Sequence, residues 1–237
     1  LDLYANIRPV TGEGFDIVIV RENTEGLYSG IEKIEEDSAC TLRCITRKGS
    51  ERIARCACRL ARNRRELTIG HKANVLKADA FFRDICIVEA MKAGVPFREC
   101  YIDALCLDIL QHPEKYDVIL TENMFGDIIS DVAAYLVGGL GMLPSGNLGD
   151  DHALFEPVHG SAPDIAGKNV ANPIAALRSA AMLLSYAARD PVSARRIEDA
   201  VQRVLAREIR TRDLGGSATT TGFAEHVIRE LEASDRT

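Results

Sequence analysis

Three observations in this 237-residue chain predict an α/β fold. Short apolar, β-branched runs such as Phe15-Asp16-Ile17-Val18-Ile19-Val20 and Tyr116-Asp117-Val118-Ile119-Leu120-Thr121 read as buried strands. Such runs alternate with polar loops and helically spaced stretches, which is how a parallel or mixed sheet covered by helices is built. Beyond Pro173 the pattern is almost purely helical.

In chain order, the strand at 15–20 leads into the polar loop Arg21-Glu22-Asn23-Thr24-Glu25-Gly26-Leu27-Tyr28-Ser29-Gly30, a placement typical of functional side chains. Residues 31–48 alternate apolar and polar through Cys40, Leu42, Cys44 and Thr46, which predicts paired strands in a projecting arm. Arg52 to Arg64 reads as an amphipathic helix with Ile53, Cys56, Ala57 and Leu60 inward. Leu67-Thr68-Ile69-Gly70 is a further strand, His71 to Lys77 a loop and 79–93 a helix. Cys100 to Ala104 continues the alternation, with Asp103 at a strand end and helical residues up to His112-Pro113. After the strand at 116–121, Asn123 to Leu136 is helical, and Val137-Gly138-Gly139-Leu140-Gly141-Met142-Leu143-Pro144-Ser145-Gly146-Asn147 is a glycine-rich loop. Helices are then expected at 174–188, 191–209 and 221–233.

Bulk properties exclude several function classes. A net charge of −6 offers no electrostatic case for nucleic acid, and the basic cluster Arg59, Arg62, Arg64, Arg65 reads as a solvated helix end. No apolar run approaches the roughly 20 residues of a membrane span, so a cytoplasmic protein is expected. The seven cysteines (40, 44, 56, 58, 86, 100 and 106) form no Cys-x-x-Cys pair and fit reduced thiols.

The densest chemical signal is Asn123-Met124-Phe125-Gly126-Asp127-Ile128-Ile129-Ser130-Asp131, where a strand turns into a helix. Asp127 and Asp131 are four apart and share a helix face, a like-charge pair that costs roughly 0.2–0.5 kcal/mol if nothing answers it. A divalent cation would. With the glycine-rich loop that follows, the block resembles the signature of the isocitrate and isopropylmalate dehydrogenases, the metal-dependent β-decarboxylating dehydrogenases. Nowhere is there a Gly-x-Gly-x-x-Gly, and Gly160 to Lys168 is not a P-loop. In their place stands Phe155-Glu156-Pro157-Val158-His159-Gly160-Ser161-Ala162-Pro163-Asp164-Ile165-Ala166-Gly167-Lys168-Asn169-Val170-Ala171-Asn172-Pro173, which is similar to that family's own adenosine-binding loop.

The resemblance implies an isopropylmalate dehydrogenase-like α/β fold of two domains without the Rossmann fingerprint. Residues 1–138 would be the smaller central domain, with the dimer arm at about 31–48, and 139–237 the C-terminal half of the large domain. It further implies Mg²⁺ or Mn²⁺ on Asp127 and Asp131, with Asp103 as a third ligand given by the other subunit. Arg8 and Arg21 resemble the substrate-clamping arginines; Lys72 would act on the hydroxyl, Tyr28 would protonate the enol, and Asn74 would orient the substrate. His71 reads instead as a structural hydrogen-bonding residue. His159, Gly160, Ser161, Ala162, Pro163, Asp164, Ile165, Asn172 and Asp213 would bind the cofactor. A carboxylate at Asp164 accepts from the ribose 2′-hydroxyl of NAD and repels the 2′-phosphate of NADP, so NAD is expected.

The implied activity is NAD-dependent oxidative decarboxylation of a 2-hydroxy acid by a homodimer with shared sites. 3-Isopropylmalate, of leucine biosynthesis, stands first; homoisocitrate, isocitrate and tartrate or malate remain open, as does a non-catalytic regulatory subunit. Leu1-Asp2-Leu3-Tyr4 opens in mid-pattern, which leads us to expect a preceding segment, and the resemblance implies that it holds a first strand, a further arginine and the loop that reads the substrate's variable group. The large domain would then be incomplete in this chain.

Overall fold

The computed structural model describes residues 1–234, which divide into two compact units. The first comprises Leu1–Leu136 and Asn147–His152, the second Val137–Gly146 and the described residues from Ala153 on. The chain thus passes between units after Leu136, Gly146 and His152, against a single join expected at 138/139.

The first unit contains strands β1 (Ala5–Gly12) and β2 (Phe15–Glu22), and the short strands β3 (Glu32–Ile34) and β4 (Ala39–Thr41). These are followed by helix α1 (Arg47–Ala61), β5 (Leu67–His71), α2 (Lys77–Ala93), β6 (Phe97–Tyr101), α3 (Ile102–Gln111), β7 (Val118–Thr121) and α4 (Asn123–Ala134). Its sheet runs β6-β5-β7-β2-β1, parallel except for the antiparallel β1–β2 pair. Every residue of β5 and β7 is buried, as is β2 from Ile17 on, because helices cover both faces of such a sheet. Helices α1 and α2 pack as one pair and α3 and α4 as another. Among the described residues the strands β3 and β4 pair only with each other, and both are fully exposed.

Local chemistry moves two expected boundaries. Helix α1 begins five residues before Arg52, because the Thr46 hydroxyl accepts from Gly49 N–H at 3.0 Å and the Glu25 carboxylate accepts from Thr46 N–H at 2.8 Å. Ile53, Cys56 and Ala57 are buried on this helix, while Leu60 is only partly so. Asp103 is not at a strand end: β6 stops at Tyr101, and Asp103 lies in the first turn of α3. Of the arginines expected to be solvated, Arg64 is engaged, bridging Asp16 and Asp117 at 2.8 and 2.7 Å.

The second unit holds most of strand β8 (Pro144–Leu148), then β9 (Ala153–Pro157), α5 (Ile174–Tyr186), α6 (Pro191–Ala206) and α7 (Thr220–Ser234). Its core gathers Met142, Ile174, Ala200, Val201, Val204, Phe223 and Val227. Helix α6 starts on an Asp190 cap that accepts from Ser193 N–H, with Pro191 at its first position. All seven cysteines are free thiols. No helix among the described residues is long and apolar enough to cross a membrane.

Candidate functional site

Register brings the first group of side chains together. Antiparallel pairing sets Asn6 opposite Arg21, and parallel pairing sets Arg21 beside Thr121, just before the helix that carries both aspartates. Arg21 therefore reaches Asp127 with one guanidinium nitrogen, and its Nε donates to Asn123 Oδ1 at 2.9 Å. Arg8 Nη1 stands 3.2 Å from the same Asp127 oxygen, and its Nε donates to Asn6 Oδ1 at 2.6 Å. The other Asp127 oxygen accepts from the Tyr28 hydroxyl at 3.1 Å. The charge conflict expected between Asp127 and Asp131 is thus partly answered within the protein, by two arginines.

Both arginine side chains are under 10% exposed, against 37% for that of Asp127. Burial and the neighbouring Arg21 lower the pKa of Arg8 from its ordinary value, while Asp127 and Asp131 partly restore it. Burial first, then the Asp127 charge, raises the Asp131 carboxyl above the usual range. Burial and the bond to Asp127 push the Tyr28 phenol up, so it keeps its proton. Arg8 Nη1 is close enough to Asp127 for ion pairing but not aligned to donate, which leaves a buried donor without a hydrogen-bond partner.

Two glycines permit this convergence. Gly126 lies on the face of α4 that meets β2, where a Cβ would stand 2.6 Å from Arg21 Cβ and from Thr121 Oγ1. Gly26 opens the turn bearing Tyr28 at φ +80, a conformation that disfavours residues with a Cβ.

Lys72 and Asp103 form a separate pair. Parallel pairing of His71 with Tyr101 brings Lys72, just past β5, beside the first turn of α3, where its Nζ donates to Asp103 Oδ1 at 2.6 Å. The lysine lowers the pKa of the exposed Asp103. Asn74 is exposed in the loop that follows. His71 is 2% exposed, accepts from Ala73 N–H through Nδ1 and faces Glu99 through Nε2, an arrangement that braces the loop. Burial lowers its pKa and keeps the ring neutral. Among the described residues no three His, Cys, Asp or Glu side chains come close enough to hold a metal, so one chain does not unite Asp103 with Asp127 and Asp131.

The second unit carries a cavity of about 350 Å³ lined by Gly141, His159, Gly160, Ala162, Ile165, Val170, Ala171, Asn172 and Asp213. Six of the nine expected cofactor residues are among them. Ser161, Pro163 and Asp164 belong to the same loop without lining the space, Asp164 being exposed in a 3-10 turn from Pro163 to Ile165. Asn172 Nδ2 donates to Asp213 Oδ2 at 2.9 Å and Thr211 Oγ1 to Asp213 Oδ1 at 2.5 Å, so Asp213 is held from two sides. Ala162 adopts φ +43, the backbone strain that ligand loops often hold.

The motif reading missed Asn6, Asn123 and Asn147. Asn6 Nδ2 donates to Asn147 Oδ1 at 2.7 Å, and Asn23 Nδ2 donates to the same oxygen at 3.2 Å, so these amides fix Arg8 and the loop after β2. The available signal was the polar pair Asn6 and Arg8, two apart in an otherwise apolar run.

Comparison with known proteins identifies the family. The family model for isocitrate/isopropylmalate dehydrogenase matches residues 1–227. An isocitrate/homoisocitrate dehydrogenase of Thermus thermophilus is 50% identical over 98% of this chain and 73% of its own length. A 3-isopropylmalate/3-methylmalate dehydrogenase of Methanocaldococcus jannaschii is 48% identical over 98% of this chain and 74% of its own. Among solved structures, isocitrate dehydrogenase from Methylococcus capsulatus superposes with a TM-score of 0.92 at 43% identity, covering 97% of this chain and 73% of that one. The chain accordingly belongs to the isocitrate/isopropylmalate dehydrogenase family of decarboxylating dehydrogenases.

Proposed function

We propose that this protein is an NAD- and divalent-cation-dependent dehydrogenase that oxidises and decarboxylates a 2-hydroxy acid. The observation that carries the reading is the convergence of Arg8, Arg21 and Tyr28 on Asp127, with Asp131 one turn further along the helix. Two guanidinium groups suit a substrate with more than one carboxylate.

The donor set fits a hard divalent cation such as Mg²⁺ or Mn²⁺, since Asp127 and Asp131 offer carboxylate oxygens only and Asp131 already bears a like-charge penalty. The cavity among His159, Gly160, Ile165, Asn172 and Asp213 fits the adenosine half of a dinucleotide, apolar around a few polar groups. When bound, NAD supplies a hydride acceptor and the cation supplies Lewis acidity. The residues do the rest: Arg8 and Arg21 orient the carboxylates, Lys72 takes the hydroxyl proton, and Tyr28 returns a proton to the carbon that loses CO₂. Lys72 and Asp103 serve the site of a second copy in a homodimer, because neither joins Asp127 within one chain. A cytoplasmic location belongs to the same reading.

The sequence placed 3-isopropylmalate first. Relatives with both kinds of name support the class of substrate: isocitrate/homoisocitrate dehydrogenases at 50% and 48% identity, and isopropylmalate dehydrogenases at 48% and 45%. NADH formation with Mg²⁺ and these three acids tests the proposal, and no turnover of any would overturn it.

A further inference from the structure

A buried cluster beside the candidate site takes no part in the chemistry above. Arg43, in the segment between β4 and α1, has a side chain only 11% exposed, and its Nη2 contacts two carboxylates. One is Asp79, in the first turn of α2 and 0% exposed; the other is Glu122, the cap of α4, 2% exposed and 3.3 Å away. The guanidinium lies 4.9 Å from the centre of the Phe125 ring.

Each carboxylate holds a different backbone segment. Asp79 Oδ2 accepts from Lys72 N–H at 2.6 Å, and Glu122 Oε1 accepts from Phe125 N–H at 2.7 Å. One segment carries the candidate base, and the other opens the helix of Asp127 and Asp131. Taking three charges out of water is a poor route to stability, and two anions to one cation leave this cluster unbalanced. Arg43 Nε and Glu122 Oε2 are buried without a hydrogen-bond partner, so the cluster has little else to fall back on.

We propose that Arg43 is a positioning residue: it ties the Lys72 loop to the start of α4 through Asp79 and Glu122, and so sets where the base and the metal carboxylates stand. This rests on the dehydrogenase reading. The base and the carboxylates would serve different sites of a dimer, so one guanidinium per chain would register a component of each.

The test compares Arg43→Met, Arg43→Lys and the double variant Arg43→Met/Asp79→Asn. The double variant removes one of the two orphaned carboxylate charges and guards against simple unfolding. In the single Met variant and in the folded double variant, kcat should fall about 10- to 100-fold, the penalty expected for misplaced reacting groups, while KM for NAD is unchanged. Arg43→Lys, which keeps the cation, should recover most of the loss. Amide exchange of residues 72–80 in the double variant should accelerate at least about tenfold over the wild type, with α5 to α7 unaffected. Wild-type kcat in the folded double variant, no rescue by lysine, or unchanged exchange at 72–80 would each overturn the role. Wild-type protein inactive on every acid defeats the dehydrogenase reading instead, and the exchange measurement then decides the tie on its own.

Discussion

Asp127→Asn and Asp131→Asn should move stability in different directions while damaging the same activity. Asp127 is the counter-charge for two buried arginines, and it also receives the Tyr28 hydroxyl. Breaking a fully buried ion pair costs about 3–5 kcal/mol, and the partial exposure of Asp127 reduces this to about 1–2 kcal/mol. For a chain of this size each kcal/mol shifts the Tm by about 2–4 °C, so Asp127→Asn should melt about 2–8 °C lower without metal. Asp131 has no ion pair within 4 Å among the described residues, and burial and the Asp127 charge raise its pKa by more than the Arg8 and Arg21 charges lower it. Asp131→Asn should hold or raise the metal-free Tm. Calorimetry of the two variants in chelator, followed by Mg²⁺ titration of NADH formation, reads both effects. A stable Asp127→Asn beside a destabilised Asp131→Asn would refute the charge assignment. A wild-type metal titration in either would remove that residue from the ligand set.

Gly126→Ala should cost about 1–3 kcal/mol and raise the substrate KM, because the added methyl displaces Arg21; a wild-type KM would show that Arg21 does not touch substrate. Lys72→Met should abolish turnover yet leave the melting curve in place, since its partner Asp103 is exposed; a lowered Tm would mean a structural lysine. Asp164→Lys should improve kcat/KM for NADP relative to NAD by at least about tenfold, and an unchanged ratio would show that Asp164 does not read the ribose. For pH, Asp79, Glu122 and Asp131 have carboxyls raised by burial, so the fold takes up protons before the unfolded chain does. Their penalty is absent below the ordinary carboxylate range and complete above the raised values. Their contribution to stability therefore falls as pH rises between the two, and denaturant melts should show a smaller fall in Asp131→Asn.

What the sequence disclosed follows from what burial requires. Strands β2, β5 and β7 were legible because a sheet covered on both faces leaves them almost wholly apolar. Strand β1 was not, since it buries Asn6 and Arg8, and polar residues are affordable there only because Asn147, 141 residues away, answers Asn6. Strand β8 hid for a similar reason, with Ser145, Gly146 and Asn147 buried at its centre. The aspartate pair was visible as helical spacing, but its arginine partners depend on a strand register that no local pattern contains. The same holds for Lys72 and Asp103, which are 31 residues apart and meet through the pairing of β5 with β6.

The amides around Arg8 have a consequence for how an anion arrives. Asn6 secures the guanidinium by its Nε, and Asn147 secures Asn6, so the anchoring is done by neutral dipoles. Carboxylates in those places would hold the arginine equally firmly while cancelling its field. With amides, Asp127 is the one carboxylate among the described residues within ion-pair reach of Arg8 and Arg21, so part of their joint positive charge is left to attract an incoming polyanion. Capture should accordingly slow with added salt, even where the affinity of the final complex is set by close contacts.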